Sequence, residues 1–105
     1  MAQEAEREVV WTNAARTDLQ AIYDFNIQSR GEADAYKLIE DIYRKADELY
    51  QPIIGSTRFV SERYPERNYQ KLVIHPYMLI FRQIGQVVFI NRIFDSRRDP
   101  SRLDL

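Results

Sequence analysis

Few side chains in this sequence could carry acid–base or phosphate chemistry. His75 is the only histidine, and because imidazole titrates near neutral pH it could act as a general base. Guanidinium groups that could hold a phosphate belong to Arg82, Arg92, Arg97 and Arg98. Phosphodiester cleavage needs a proton acceptor, a proton donor and cations on the phosphate. His75 stands in a His-Pro turn, where a lone histidine is usually solvated rather than catalytic. The groups that phosphodiester cleavage requires are therefore incomplete in this sequence.

Metal and thiol chemistry are not expected. The sequence has no cysteine, which excludes disulfides and removes half of the usual zinc ligands. We therefore predict no metal site and no cofactor. No apolar run approaches the roughly 20 residues that cross a membrane, and residues 1–8 are polar and acidic rather than a signal peptide. These features predict a cytoplasmic protein with no membrane association.

Length and charge indicate one domain with two electrostatically different halves. A chain of 105 residues forms a single domain, residues 1–105, and residues 1–7 are expected to be a flexible N-terminal extension. Residues 1–55 contain 6 basic and 11 acidic side chains, whereas residues 56–105 contain 9 basic and 5 acidic ones. The C-terminal half could therefore face an anionic partner. The alternative is that the split reflects only two differently solvated faces.

The elements that must position these residues begin with a strand and two helices. Glu8–Trp11 is a short β-type run, and Thr12 or Asn13 can cap the helix that follows. The first helix has apolar residues at Ala15, Leu19, Ile22, Tyr23 and Ile27, and the second has them at Ala35, Leu38, Ile39, Ile42, Ala46 and Leu49. Gly31 separates the two helices, and Ser29 and Glu32 have the spacing of a capping box for the second. An antiparallel helical hairpin ending at Gln51-Pro52 is predicted.

The second half of the chain is predicted to form strands. Strand-like runs occur at residues 69–74, 77–84 and 87–94. Residues 52–68 have no clear pattern, although residues 57–62 within them could form an edge strand. His75-Pro76 separates the first two runs, and Gly85-Gln86 is typical of a two-residue type II′ hairpin turn. The predicted fold class is α+β: a short N-terminal strand, an antiparallel helical hairpin and a three- to four-stranded antiparallel sheet.

The hairpin register predicts an unusually apolar sheet. With Gly85-Gln86 as the loop, Ile84 pairs with Val87, and an unbroken register places Arg82 and Arg92 on opposite faces, where they cannot hold one phosphate. Both faces are mainly apolar. In an antiparallel sheet with one solvent-exposed face, apolar and polar residues should alternate along each strand. We expect another chain to cover the second face. The alternative cover is residues 52–68 or the C-terminal tail.

Several segments together resemble the ParE/RelE toxin superfamily of type II toxin–antitoxin systems. The match begins with Val10-Trp11 and the first-helix residues Ala15, Asp18-Leu19 and Ile22-Tyr23. Residues 68–74 (NYQKLVI) are similar to the family's "YRKL" strand, and residues 77–82 (YMLIFR) to its "YxIxYR" strand. Residues 88–100, which end in IFDSRRDP, are similar to its closing "ILRVLHGRRDP" segment. The resemblance covers roughly residues 8–103.

The resemblance implies a toxin, associated with plasmid stabilisation, that forms a hetero-oligomer with an antitoxin encoded beside it. Antitoxins of this superfamily typically lay a helix or an extended segment over the toxin's helical hairpin and sheet. The antitoxin contacts expected here are Tyr43 and Tyr50 at the edge of a groove, with Tyr77, Leu79 and Phe81 on the sheet.

The two branches of the superfamily imply different activities. RelE-like members cut messenger RNA in the ribosome, whereas ParE-like members are associated with poisoning DNA gyrase and have no known hydrolytic site. This chain lacks the arginine expected at the start of the strand 77–84, has Asp95 where the closing segment commonly has histidine, and has no Tyr or His beyond Tyr77. It is therefore expected to be ParE-like and to bind gyrase or another topoisomerase through Arg92, Arg97 and Arg98. The alternatives are a ribosome-dependent endoribonuclease that uses His75 and Arg82, and a decayed toxin that only binds its antitoxin.

Overall fold

The computed structural model describes residues 7–51, 56–97 and 105. The elements in chain order are β1 (Glu8–Trp11), α1 (Asn13–Arg30), α2 (Glu32–Asp47), a 3₁₀ turn (Glu48–Tyr50), β2 (Thr57–Phe59), β3 (Tyr69–Ile74), β4 (Tyr77–Ile84) and β5 (Val87–Asp95). The strands form one five-stranded sheet in the order β1-β5-β4-β3-β2. The predicted α+β order of strand, helical hairpin and antiparallel strands is confirmed. The sheet is mixed, because β1 joins the edge of β5 in parallel.

Local capping explains where the helices begin and end. The side-chain oxygen of Thr12 accepts the N–H of Ala15 at 3.2 Å and so caps α1. The N–H of Gly31 donates to the carbonyl of Ile27 at 3.1 Å, and its φ of 92° is one that residues with a Cβ rarely adopt. The predicted capping box is wrong. Ser29 remains inside α1, where its hydroxyl donates to the carbonyl of Phe25, and Gly31 precedes α2 without a side-chain cap.

The core lies between the helical hairpin and one face of the sheet. It contains Ala15, Leu19, Ile22, Ile42, Ala46 and Leu49 from the helical segment, and Tyr77, Leu79, Phe81, Val88, Ile90 and Ile93 from β4 and β5. Tyr77, Leu79 and Phe81 are only 7%, 0% and 5% exposed. The expectation that these three contact an antitoxin therefore needs correction. Because the chain's own helices already cover them, they offer no free surface to a partner.

A β-bulge changes the predicted register of the β4–β5 hairpin. The pairs from Ile84 with Val87 to Phe81 with Ile90 follow the prediction, but Ile80 then pairs with Arg92. Asn91 is the extra residue in β5. Directly opposed residues share a face, so by register Arg92 lies on the face of Ile80 and Arg82. The predicted placement of the two arginines on opposite faces is therefore wrong.

The face of the sheet that points away from the helices is partly covered by the chain itself. Ile80 and Tyr69 on this face are 0% and 1% exposed. The side chain of Arg67, in the segment before β3, donates to the hydroxyl of Tyr69 at 3.0 Å. Other apolar side chains on this face stay open, since Val73 is 57% and Ile84 51% exposed. The segment before β3 thus supplies some of the cover that we expected from another chain.

Candidate functional site

The two residues that the ribonuclease alternative requires lie far apart. His75 is exposed in the turn between β3 and β4, whereas Arg82 lies near the other end of β4. The five strand steps from Tyr77 to Arg82 alone cover about 17 Å. The guanidinium carbon of Arg82 lies 5.7 Å from the centre of the Tyr69 ring. His75 and Arg82 are therefore not placed to act together on one phosphate.

Arg92 forms an ion pair with the first helix. Its Nε and Nη2 atoms donate to the two carboxylate oxygens of Asp18 at 2.7 and 2.9 Å. Asp18 also accepts the backbone N–H of Ile93 at 2.9 Å. Since β1 pairs with β5 only as far as Ile90, this carboxylate takes the place of a strand partner along the next part of the β5 edge. Arg92 therefore stabilises the join between α1 and the sheet.

Arg97 is the most accessible of the predicted target contacts within the described residues. Its side chain is 74% exposed and bonds in a fork to the carboxylate of Asp95. The hydrogen bond to Asp95 raises the pKa of Arg97 above its ordinary value, so the group stays charged at any physiological pH. The carbonyl of Pro76 accepts the N–H and the hydroxyl of Ser96, which ties this turn to the β3–β4 turn. Arg98 lies outside the described residues.

Helix α2 and the 3₁₀ turn that follows it present a row of exposed tyrosines. Tyr36, Tyr43 and Tyr50 follow one another at intervals of seven residues and are 59%, 43% and 40% exposed. The ring of Tyr43 lies 4.9 Å from that of Trp11 on β1. The carbonyl of Tyr50 accepts the N–H of Arg7 at 2.8 Å. The α2 segment therefore runs antiparallel to β1 along the edge of the sheet. The sequence predicts Tyr43 and Tyr50 as members of this surface; the structure adds Tyr36, which the interval of seven residues also indicates, and Trp11.

A cluster of arginines and tyrosines lies on the other side of the sheet, and sequence reasoning had missed it. The guanidinium of Arg67 stacks on Tyr64 at 3.8 Å from the ring centre, and that of Arg63 lies 5.3 Å from the same centre. The hydrogen bond to Tyr69 raises the pKa of Arg67. The N–H of Tyr64 donates to the buried hydroxyl of Ser61 at 2.8 Å. These contacts fix the segment between β2 and β3.

The comparison with protein-family models decides the assignment. The model described as "ParE toxin of type II toxin-antitoxin system, parDE" matches residues 9–100. The chain belongs to the ParE toxin family.

Solved structures of toxin–antitoxin systems share the ParE-family fold. One is titled as the chromosomal ParDE TA system from P. aeruginosa; it is 30% identical, with a TM-score of 0.69, over 86% of this chain and 96% of that chain. Another is the toxin–antitoxin complex RelBE2 from Mycobacterium tuberculosis, at 16% identity and a TM-score of 0.63, over 90% of this chain and 97% of that chain. The second likeness concerns the fold alone. A search of curated protein sequences finds no significant match.

The described part of this ParE-family chain also contains a small polar cleft. It has a volume of about 270 Å³ and is lined by Arg7, Leu49, Ser56, Asn68, Gln70, Phe81 and Gln83. Arg7 closes one side of it, because its guanidinium donates to the side chain of Gln83 and to the carbonyl of Gln51. Within residues 7–51, 56–97 and 105, no group of three or more acidic, His or Cys side chains is placed to hold a metal ion. No helix in those ranges is long and apolar enough to cross a membrane.

Proposed function

We propose that this ParE-family chain is a cytoplasmic toxin that inhibits DNA gyrase or a related type II topoisomerase by binding, and that a cognate antitoxin neutralises it. The observation that carries the proposal is the family match over residues 9–100. It is supported by the likeness to a ParDE system at 30% identity, which extends over nearly all of both chains.

The antitoxin binds along the edge of the sheet where α2 runs beside the edge strand β1. Tyr36, Tyr43 and Tyr50 supply exposed aromatic area there, and the contact between Tyr43 and Trp11 joins the helix to the strand. Tyrosine is favoured in protein interfaces because it offers a large, rigid surface with one polar end. Exposed apolar area of this kind usually marks an interaction site.

The target is contacted by the turn that follows β5. Arg97 projects into solvent there, and Arg98 follows it in sequence. An exposed guanidinium can pair with a carboxylate or a phosphate by forked hydrogen bonds. Both arginines are paired within the chain, but Arg92 contributes less to target binding because its side chain is only 24% exposed, compared with 74% for Arg97.

The positions of the titratable groups count against the ribonuclease alternative. General acid–base cleavage needs both groups within hydrogen-bond reach of one phosphodiester. His75 and Arg82 are separated by most of the length of β4, and the bidentate bond to Asp18 reduces the free charge of Arg92. Inhibition by binding requires no such constellation.

The proposal is tested by inducing the chain alone in a bacterial host while DNA synthesis and protein synthesis are followed separately. We expect DNA synthesis to stop first, and we expect the purified chain to inhibit supercoiling by purified gyrase. Arg97→Glu should weaken that inhibition by about tenfold or more, as loss of an interface arginine commonly does. Arg16→Glu, an equal charge change at an exposed position on α1, should not weaken it.

The outcomes separate the alternatives. An early stop in translation with cleaved messages would replace the proposal with the ribonuclease reading and would make His75 and Arg82 the first residues to mutate. An Arg97→Glu variant as potent as the unaltered chain would remove the C-terminal turn from the target interface. Coexpression with the cognate antitoxin should restore growth.

A further inference from the structure

The exposed tyrosines of α2 and the 3₁₀ turn after it alternate with carboxylates. Along one stripe of the helical segment the residues are Tyr36, Glu40, Tyr43, Asp47 and Tyr50, at successive steps of four, three, four and three. Steps of three and four keep side chains on the same side of a helix. All five side chains are exposed. We call this set the tyrosine–carboxylate stripe.

The two carboxylates of the stripe form no direct ion pair within the described part of the chain. No ion pair among residues 7–51, 56–97 and 105 includes Glu40 or Asp47, whereas the neighbouring Arg44 pairs with Asp41. The segment from Glu32 to Tyr50 contains six acidic and three basic side chains. The stripe therefore presents aromatic surface in a negative field.

Resting on the proposed toxin function, we propose that the tyrosine–carboxylate stripe is the docking surface for a cationic amphipathic helix of the antitoxin. Lysine or arginine side chains of that helix pair with Glu40 and Asp47, and its aliphatic side chains pack between the tyrosines. Tyrosine rings suit such a helix because they accept both apolar contact and the face of a cation.

The spacing selects a helix as the partner. Glu40 and Asp47 are seven residues apart, which places them about 10.5 Å apart along the axis of α2. A second helix running alongside α2 repeats its contact positions at the same interval, as in coiled coils. The antitoxin helix therefore carries its two cations seven residues apart. An extended strand rises about 3.3 Å per residue, so two of its side chains would match the interval of about 10.5 Å only if they were three residues apart. Side chains three residues apart in a strand point to opposite faces, so both could not reach α2.

Charge also argues against a second copy of this chain on the same surface. Two stripes packed together would bring Glu40 and Asp47 of one copy against the same residues of the other. Like charges placed opposite one another in an interface oppose association. A cationic partner removes that repulsion.

The test uses the purified chain and its cognate antitoxin, with the dissociation constant and the association rate measured at low and high salt. The double variant Glu40→Lys/Asp47→Lys should bind the antitoxin about tenfold or more weakly. High salt should slow association of the unaltered chain but have much less effect on association of this variant. The control is Asp24→Lys/Asp34→Lys, which makes the same charge change at exposed positions outside the stripe. It should keep the affinity within about twofold. Circular dichroism checks that both variants are folded.

A further variant pair identifies the contact directly. In the antitoxin, the two cationic residues that lie seven positions apart are replaced by glutamate. This altered antitoxin should bind the Glu40→Lys/Asp47→Lys variant of the chain. Equal affinity of the unaltered chain and the stripe variant, or equal losses in the stripe and control variants, would overturn the inference and leave the proposed function standing. Self-association of the chain through the three tyrosines would likewise overturn the inference alone, whereas failure of the unaltered chain to bind the antitoxin would overturn both.

Discussion

Replacement of Asp18 should destabilise the protein more than any other single change at a partly exposed charge. The Asp18 carboxylate accepts three hydrogen bonds, two from Arg92 and one from the backbone N–H of Ile93. The side chains are 15% exposed for Asp18 and 24% for Arg92, so water screens the pair only in part. Asp18→Ala would remove two hydrogen-bond acceptors from the Arg92 guanidinium and one from the strand-edge N–H of Ile93.

The magnitude follows from these contacts. A hydrogen bond to a charged group contributes about 1.5–3 kcal/mol, and removing one partner of a buried ion pair costs roughly 3–5 kcal/mol. Because Arg92 and the strand edge can both be rehydrated in the variant, we expect the free energy of unfolding to fall by about 3 kcal/mol in total. For a domain of this size, that corresponds to a decrease in Tm of roughly 12–24 °C.

The assay is urea and thermal denaturation followed by circular dichroism. Asp18→Asn keeps one acceptor oxygen and should lose about half as much free energy of unfolding as Asp18→Ala. The double variant Asp18→Ala/Arg92→Met should recover about 1–2 kcal/mol relative to the sum of the single variants, since it removes both partners of the ion pair. Asp24→Ala, at an exposed carboxylate of the same helix, should stay within about 0.5 kcal/mol of the unaltered chain. An Asp18→Ala variant as stable as Asp24→Ala would refute the reasoning.

Three further changes test the local structure by the same denaturation measurements. Thr12→Ala removes the α1 cap and the hydroxyl that donates to the carbonyl of Ile90 at 2.8 Å, so it should cost about 1–2 kcal/mol, and Thr12→Ser should restore most of that. Gly31→Ala should cost about 1–3 kcal/mol, because φ 92° with ψ 165° is open almost only to glycine; an unchanged Tm would contradict this. Tyr77→Phe removes the hydrogen bond that Asn26 donates at 3.0 Å in the core, and we expect a loss of about 1 kcal/mol, with a larger loss for Tyr77→Ala.

The helices and the β4–β5 turn could be predicted because their signals are local. The apolar period of the two helical segments, the cap at Thr12 and the glycine at position 31 act within a few residues of one another. Gly85 has a φ of 62°, as the first residue of a two-residue hairpin turn with a primed geometry requires. Each of these features depends on backbone sterics that any surrounding fold must respect.

The features that the sequence concealed depend on contacts between distant segments. The ion pair of Asp18 with Arg92 joins residues 74 positions apart, and the parallel pairing of β1 has no signature in its four residues. The bulge at Asn91 reverses the alternation of β5 by one residue, so Ile93 faces the core. Alternation alone could not tell which of two apolar faces the helices cover. The antitoxin contacts expected at Tyr77, Leu79 and Phe81 were placed on the covered face for that reason.

The parallel pairing of β1 with β5 bears on how the chain folds as it is synthesised. Thr12 and Ile90, which meet at the end of this pairing, are 78 positions apart. At about 5–20 residues per second, a ribosome needs roughly 4–16 s to add the segment between them. Until then, β1 lacks the only strand partner that it has among the described residues, because β5 is the strand that joins β1 to β4. A chain whose synthesis stops before β5 therefore cannot join β1 to the antiparallel strands of the sheet.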